Sequence, residues 1–168
     1  METAALLLES HPDLKLVVSG PLGPHSADND AYWADLVELR RQLGLEGRAI
    51  FLRELGEPHP VDDEMVAELY QLAAVVLLTS EAEGFGLPVL EAGLARVPVV
   101  CSDLDVFREV AGGDAYSFPA GAGPEVVAAR LEEALDSPTA RLQLRIGAHY
   151  DWAALLPRIE EEIRRACG

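Results

Sequence analysis

Lysine is nearly missing from this chain: of its 13 basic residues only Lys15 is a lysine, and the others are arginines. Acids number 29, which leaves a formal charge of -16. Such a balance argues against nucleic acid and against an anionic membrane surface as partners, because both select basic patches. Any phosphate chemistry here also has to do without a lysine cluster. Cysteine is scarce as well. Cys101 and Cys167 are too few for a disulfide framework and have no metal-ligand spacing. Cys101 lies in an apolar run and reads as a core residue. His11, His25, His59 and His149 are scattered without a His-x-x-x-His or His-x-Glu pattern, so no metal site is expected. No apolar run approaches the roughly 20 residues of a membrane span. The opening "METAALLLES" carries an acid where a signal peptide carries bases. These absences predict a soluble, cytoplasmic protein.

What remains is an ordinary globular composition, 49% hydrophobic over 168 residues, enough for one compact domain spanning 1–168. Short apolar runs alternate with amphipathic stretches from end to end. Lys15–Gly20, Ala49–Leu52, Ala74–Ser80, Val97–Ser102 and Ala115–Phe118 read as strands. Their apolar runs barely alternate, the pattern of parallel strands covered on both faces. Between them lie helical stretches: "DNDAYWADLVELRRQLG" with Gly44 as its stop, "VDDEMVAELYQLA", and "GPEVVAARLEEALDS" with Pro124 at the first helical position. Two closing helices follow, the second bent at Pro157. Asp28 to Asp30 read as loop acids capping a helix, within a polar loop from Gly20 to Asp30 that reads as mobile. The alternation predicts an α/β fold, a doubly wound, Rossmann-like parallel sheet in three α/β/α layers.

One stretch stands apart. "EAEGFGLPVLEAGLA" (Glu81 to Ala95) follows the third strand and brackets a Gly-Phe-Gly turn and Pro88 with two carboxylates, Glu83 and Glu91. In open parallel sheets, ligands bind at the carboxyl ends of the strands. Gly84 and Gly86 permit close backbone approach, and a helix starting near Pro88 adds free N–H groups. The result is an anion pocket made of main chain, suited to a protein almost without lysine. Glu91 falls about one turn into that helix, and helical side chains tilt back toward the N-terminus. Two carboxylates beside a phosphate are tolerable only where hydrogen-bond donors meet them, and sugar hydroxyls are such donors. A nucleotide sugar combines both features. Spacing alone fits a plainer reading equally well, in which Glu91 is a solvated helix acid and Glu83 a loop acid. Ser80, ending the third strand, reads as a backbone cap before a ligand contact.

The longer run "TSEAEGFGLPVLEAGLARVPVVCSDLDVFREVAGGDAYSFPAG" resembles the donor-binding half of retaining, group 1 glycosyltransferases of the GT-B fold. That family's signature, a Glu, seven residues and a second Glu, is complete from Glu83 to Glu91. The upstream "LKLVVSGPLG" and "DLVELRRQLGLEGRAIFL" and the closing "YDWAALLPRIEEEIRRA" are similar to other parts of the same domain. The resemblance implies that Glu83, the motif's catalytic-site acid, binds hydroxyls of the transferred sugar. It implies further that Gly84, Phe85, Gly86 and Leu87 hold the sugar and diphosphate through the backbone, and that Glu91 grips the ribose. Arg53 and Leu55 would lie along the nucleobase, although a solvated loop arginine is the plainer reading of Arg53. No general base or nucleophile is assigned.

By the same resemblance the donor is a nucleotide diphosphate sugar and no other cofactor is called for. The acceptor belongs to an N-terminal domain that this sequence does not contain. The family's first strand of this half, with the Arg and Lys that follow it, also has no counterpart, so the expectation is a chain beginning inside its domain. Two other functions fit the same architecture. A non-catalytic nucleotide-sugar-binding module would keep the site without turnover, and a nucleotide-sugar 2-epimerase would need further acid–base residues. A receiver-like α/β module would want acids at the ends of early strands, and "VSGPLG" offers none.

Overall fold

The computed structural model describes residues 1–19, 27–55, 62–136 and 140–167. In chain order the elements are α1 (Glu2–Leu7), β1 (Leu16–Val18), α2 (Ala27–Gln42), β2 (Ala49–Phe51), a 3₁₀ turn (Leu52–Leu55), α3 (Asp63–Leu72), β3 (Val76–Leu78) and α4 (Leu87–Leu94). They continue with β4 (Val99–Ser102), α5 (Asp105–Ala111), β5 (Tyr116–Phe118), α6 (Pro124–Leu135), α7 (Ala140–Tyr150) and α8 (Trp152–Cys167). All five expected strands form, each inside the range that the sequence suggests. The second ends at Phe51, because Leu52 already opens the 3₁₀ turn. Asp28 to Asp30 lie within α2, not in a capping loop before it. Most of the polar loop, residues 20–26, falls outside the described residues. α8 runs continuously through Pro157.

The residues pack as two compact units, Met1–Val66 with Gly123–Ala128, and Ala67–Ala122 with Ala129–Gly168. In the first unit β1 and β2 pair in parallel, Leu16 opposite Ala49 and Val18 opposite Phe51. Leu7, Leu45, Ala49, Phe51, Leu52 and Val127 are among its buried apolar side chains. α2 stops where the sequence suggests: Gly44 takes φ +65°, and the amides of Gly44 and Leu45 return to the carbonyls of Arg41 and Arg40 at 3.2 and 3.0 Å. This pair of bonds satisfies carbonyls that the helix end would otherwise leave open, and the buried Leu45 is the apolar residue that accompanies it.

The second unit holds a parallel sheet ordered β3-β4-β5. Val76 to Leu78 face Val99 to Cys101 in register, and Val100 to Ser102 face Tyr116 to Phe118. β4 is central and buried at every position, which explains why its sequence is apolar without alternation. The core joins this strand to α4, α5 and α7 through Val89, Ala92, Val99, Phe107, Val110 and Ile146. Gly93 lets α4 and α7 approach closely, since a Cβ there would stand 2.6 Å from Ile146 Cγ1. Cys101 is buried as expected, and burial pushes its thiol up to about 11.

Candidate functional site

β3 stops at Leu78, and α4 begins at Leu87. The segment between them is pinned at its start by Ser102. That buried hydroxyl donates to the Ser80 carbonyl at 2.5 Å, tying the outgoing end of β3 to the end of β4. Ser80 thus takes part through its backbone. At the other end Gly86 forms the N-cap of α4 in the left-handed region, φ +70°. A Cβ at this position would also meet Val110 Cγ2 at 3.1 Å. Conformation and space both demand glycine at 86. Gly84 differs, because nothing lies within 4 Å of where its Cβ would stand. The protein's own packing makes no use of that glycine, and the space over it is open.

Glu83 turns its side chain onto this loop. Its Oε1 accepts from the amides of Gly84, Phe85 and Gly86, at 3.0, 3.3 and 3.4 Å. Three successive N–H groups converging on one oxygen form an anion nest. The amides that the sequence sets aside for a ligand anion meet instead the carboxylate of Glu83, the anion they hold in this structure. Beside it two large apolar residues stand in solvent, Phe85 at 79% and Leu87 at 54% exposure. An apolar rim around a main-chain anion pocket is suited to a ligand with a charged group and a less polar body.

Glu91 occupies the exposed side of α4, one turn beyond the pocket. Its Oε2 accepts from the hydroxyl of Tyr70 on α3 at 2.9 Å. Among the described residues no cation pairs with it. The Tyr70 ring is half-buried against the core of the second unit. Burial first, then the Glu91 carboxylate, holds the Tyr70 phenol well above the usual tyrosine range, so it remains a donor. Sequence reasoning missed Tyr70, since nothing in linear spacing links a residue of α3 to one 21 positions on. Ser102 was more accessible: a hydroxyl ending an otherwise apolar strand is itself a signal.

Arg53 sits on the 3₁₀ turn of the first unit and is not a freely solvated loop arginine. Its guanidinium stacks over Trp33 at 5.1 Å and lies 3.9 Å from Asp30. Leu55 ends the same turn, and its side chain lies outside the described residues. Next to Arg53, Glu54 forms a two-pronged ion pair with Arg40 at 2.6 and 2.7 Å, so this turn is held from both sides. Among the described residues, no three His, Cys, Asp or Glu side chains cluster as metal ligands. No helix among them is long and apolar enough to cross a membrane.

Comparison with known proteins gives this geometry a family. The profile of the family described as Glycosyl transferases group 1 matches residues 1–149. A D-inositol 3-phosphate glycosyltransferase of Corynebacterium diphtheriae is 29% identical over 168 residues, covering 95% of this chain and 37% of that protein. The C-terminal domain of the glycosyl transferase group 1 family protein LpcC from Francisella tularensis is similar at TM-score 0.73 and 21% identity, covering 90% of this chain and 77% of that one. HepE of Anabaena, solved in complex with UDP, is similar at TM-score 0.67 and 19% identity, covering 98% of this chain and 52% of that one. The chain spans well under half the length of the curated relatives it matches. Parallel sheets with flanking helices, the glycine turn between β3 and α4, and a profile match over most of its length lead to one conclusion: this chain belongs to the group 1 glycosyl transferases and has the α/β fold of their GT-B C-terminal domains.

Proposed function

We propose that the chain is the donor-binding domain, 1–168, of a retaining glycosyltransferase that works in the cytoplasm on a nucleotide diphosphate sugar. The acceptor is held by a second, N-terminal domain. The observation that carries this reading is the nest of amides at Gly84, Phe85 and Gly86, already closed around a carboxylate oxygen. Main chain that holds one anionic oxygen in the resting protein can hold a phosphate oxygen once that carboxylate leaves. Donor entry then exchanges partners. The diphosphate takes the amides, and Glu83, set free, accepts hydrogen bonds from the hydroxyls of the transferred sugar. Glu91 accepts from the ribose hydroxyls.

Charge builds on the diphosphate as the sugar leaves. Prealigned amides at the opening of α4 stabilise that charge without reorganising. HepE, a fold relative, was solved with UDP, which supports a nucleotide ligand for this fold. Without the acceptor domain the chain binds donor weakly and does not turn it over, because closure and acceptor positioning are lost.

The test is a calorimetric titration of the purified chain with UDP-, GDP- and ADP-sugars, repeated on Glu91→Ala. One donor class binds the unaltered chain, and the substitution weakens it about tenfold or more, the scale of a lost charge-assisted hydrogen bond. Equal indifference to all three donors in both proteins would defeat the proposal.

A further inference from the structure

We propose that Tyr70 is a positioning residue of the donor site, fixing one oxygen of Glu91 so that the other is presented to a ribose hydroxyl; this rests on the reading of Glu91 given above. Three observations carry it. The Tyr70 hydroxyl donates to Glu91 Oε2 at 2.9 Å, while Glu91 Oε1 accepts nothing from the described residues. The ring that carries the hydroxyl is half-buried, packed against the cluster that includes Val89, Ala92 and Val99. The phenol therefore occupies a fixed place, whereas Glu91 stands on the exposed side of α4. The third observation is the lack of a cation on Glu91 among the described residues. A neutral donor leaves the carboxylate its full charge for a further hydroxyl, whereas an arginine could engage both oxygens at once.

An exposed glutamate without this contact samples several rotamers, and a ligand that binds it has to order the side chain. Tying one oxygen to a ring packed against the core moves that ordering into the folded protein, before the ligand arrives. A simple tether between α3 and α4 would need the same hydrogen bond, so the two roles differ in what each does to ligand choice and not in geometry. Positioning makes Tyr70 matter most for a ligand that offers the hydroxyl. A tether makes it matter equally for every ligand.

The experiment measures binding of UDP, GDP and ADP, each beside its 2′-deoxy form, to the unaltered chain, Tyr70→Phe, Glu91→Gln and the double variant. Phenylalanine keeps the half-buried ring and its packing. Glu91→Gln, at an exposed position, enters the same bond from the other side, and circular dichroism checks that each variant is folded. The unaltered chain is expected to prefer the ribonucleotide by about tenfold, one charge-assisted hydrogen bond. Tyr70→Phe should lose most of that preference while binding the 2′-deoxy form as before, and the double variant should lose no more than Glu91→Gln alone. If Tyr70→Phe keeps the full ribose preference, or weakens both forms alike, Tyr70 is only a tether and the inference is overturned. If the unaltered chain binds nucleotides without a ribose preference, or binds none, the reading of Glu91 fails first and Tyr70 loses its role with it.

Discussion

At its start α4 has Gly86 in the left-handed region, φ +70°, and just past its end Arg96 takes nearly the same conformation, φ +66°. Around Arg96 the amides of Arg96 and Val97 return to the carbonyls of Gly93 and Ala92 at 3.2 and 2.9 Å. That is the same pair of closing bonds that ends α2, where Gly44 holds the left-handed position. The far end of α4 thus holds an arginine in the left-handed region where the turn to β4 requires that shape, with its side chain exposed. The near end has no such freedom, with Val110 and Val106 standing over Gly86. One backbone conformation serves two purposes. At the far end it reverses the chain, whereas at the near end it leads the chain into α4 directly after the three amides that meet Glu83.

The contrast can be broken or sharpened by substitution. The largest effect is expected in the body of the helix. Gly93→Val puts two methyl groups where even a Cβ would lie 2.6 Å from Ile146, and should lower stability by about 3 kcal/mol, the upper range for overpacking. Urea unfolding measures it, and a loss under 1 kcal/mol would mean that α4 and α7 are less closely packed than described. Gly86→Ala should come next, at about 2 kcal/mol, from the left-handed penalty and the crowding at Val110 together. It should also abolish donor binding, a second loss that Gly93→Val need not share if the fold survives. Arg96→Gly is the smallest and has the opposite sign. Relieving the left-handed arginine should stabilise the chain by about 0.5–1 kcal/mol, an amount reduced by the greater freedom of glycine in the unfolded chain. Donor binding should not change. An Arg96→Gly variant less stable than the original would show that the arginine side chain contributes more than its backbone costs.

Much of this was legible in the sequence because it depends on local rules. β4 is apolar at every position except its last residue, and such a run signals a strand covered on both faces. Gly-Phe-Gly-Leu-Pro after an apolar strand signals a turn and a helix start. Tertiary relationships were not legible. Glu83 folds onto the amides of its own loop, a rotamer choice that linear spacing leaves open. Tyr70 meets Glu91 only because the chain between them, through β3 and the loop, brings α3 beside α4. Arg53 has the same history: Trp33, whose ring it covers, lies on a helix that precedes β2. Arg96 breaks a preference outright, since glycine is the usual occupant of such a position. Pro157 lies inside α8, which continues past it to Cys167.

Two residues, Ala95 and Arg96, turn the chain before Val97 and Pro98 lead it into β4. α4 itself is roughly 12 Å long at helical rise, and Val89, Ala92 and Gly93 along it are buried. A strut so short, gripped along one side and joined to the sheet by so brief a reversal, has little room to flex. Whatever tightens the loop at Gly84 should therefore be felt as slower amide exchange at Val97, across the length of the helix.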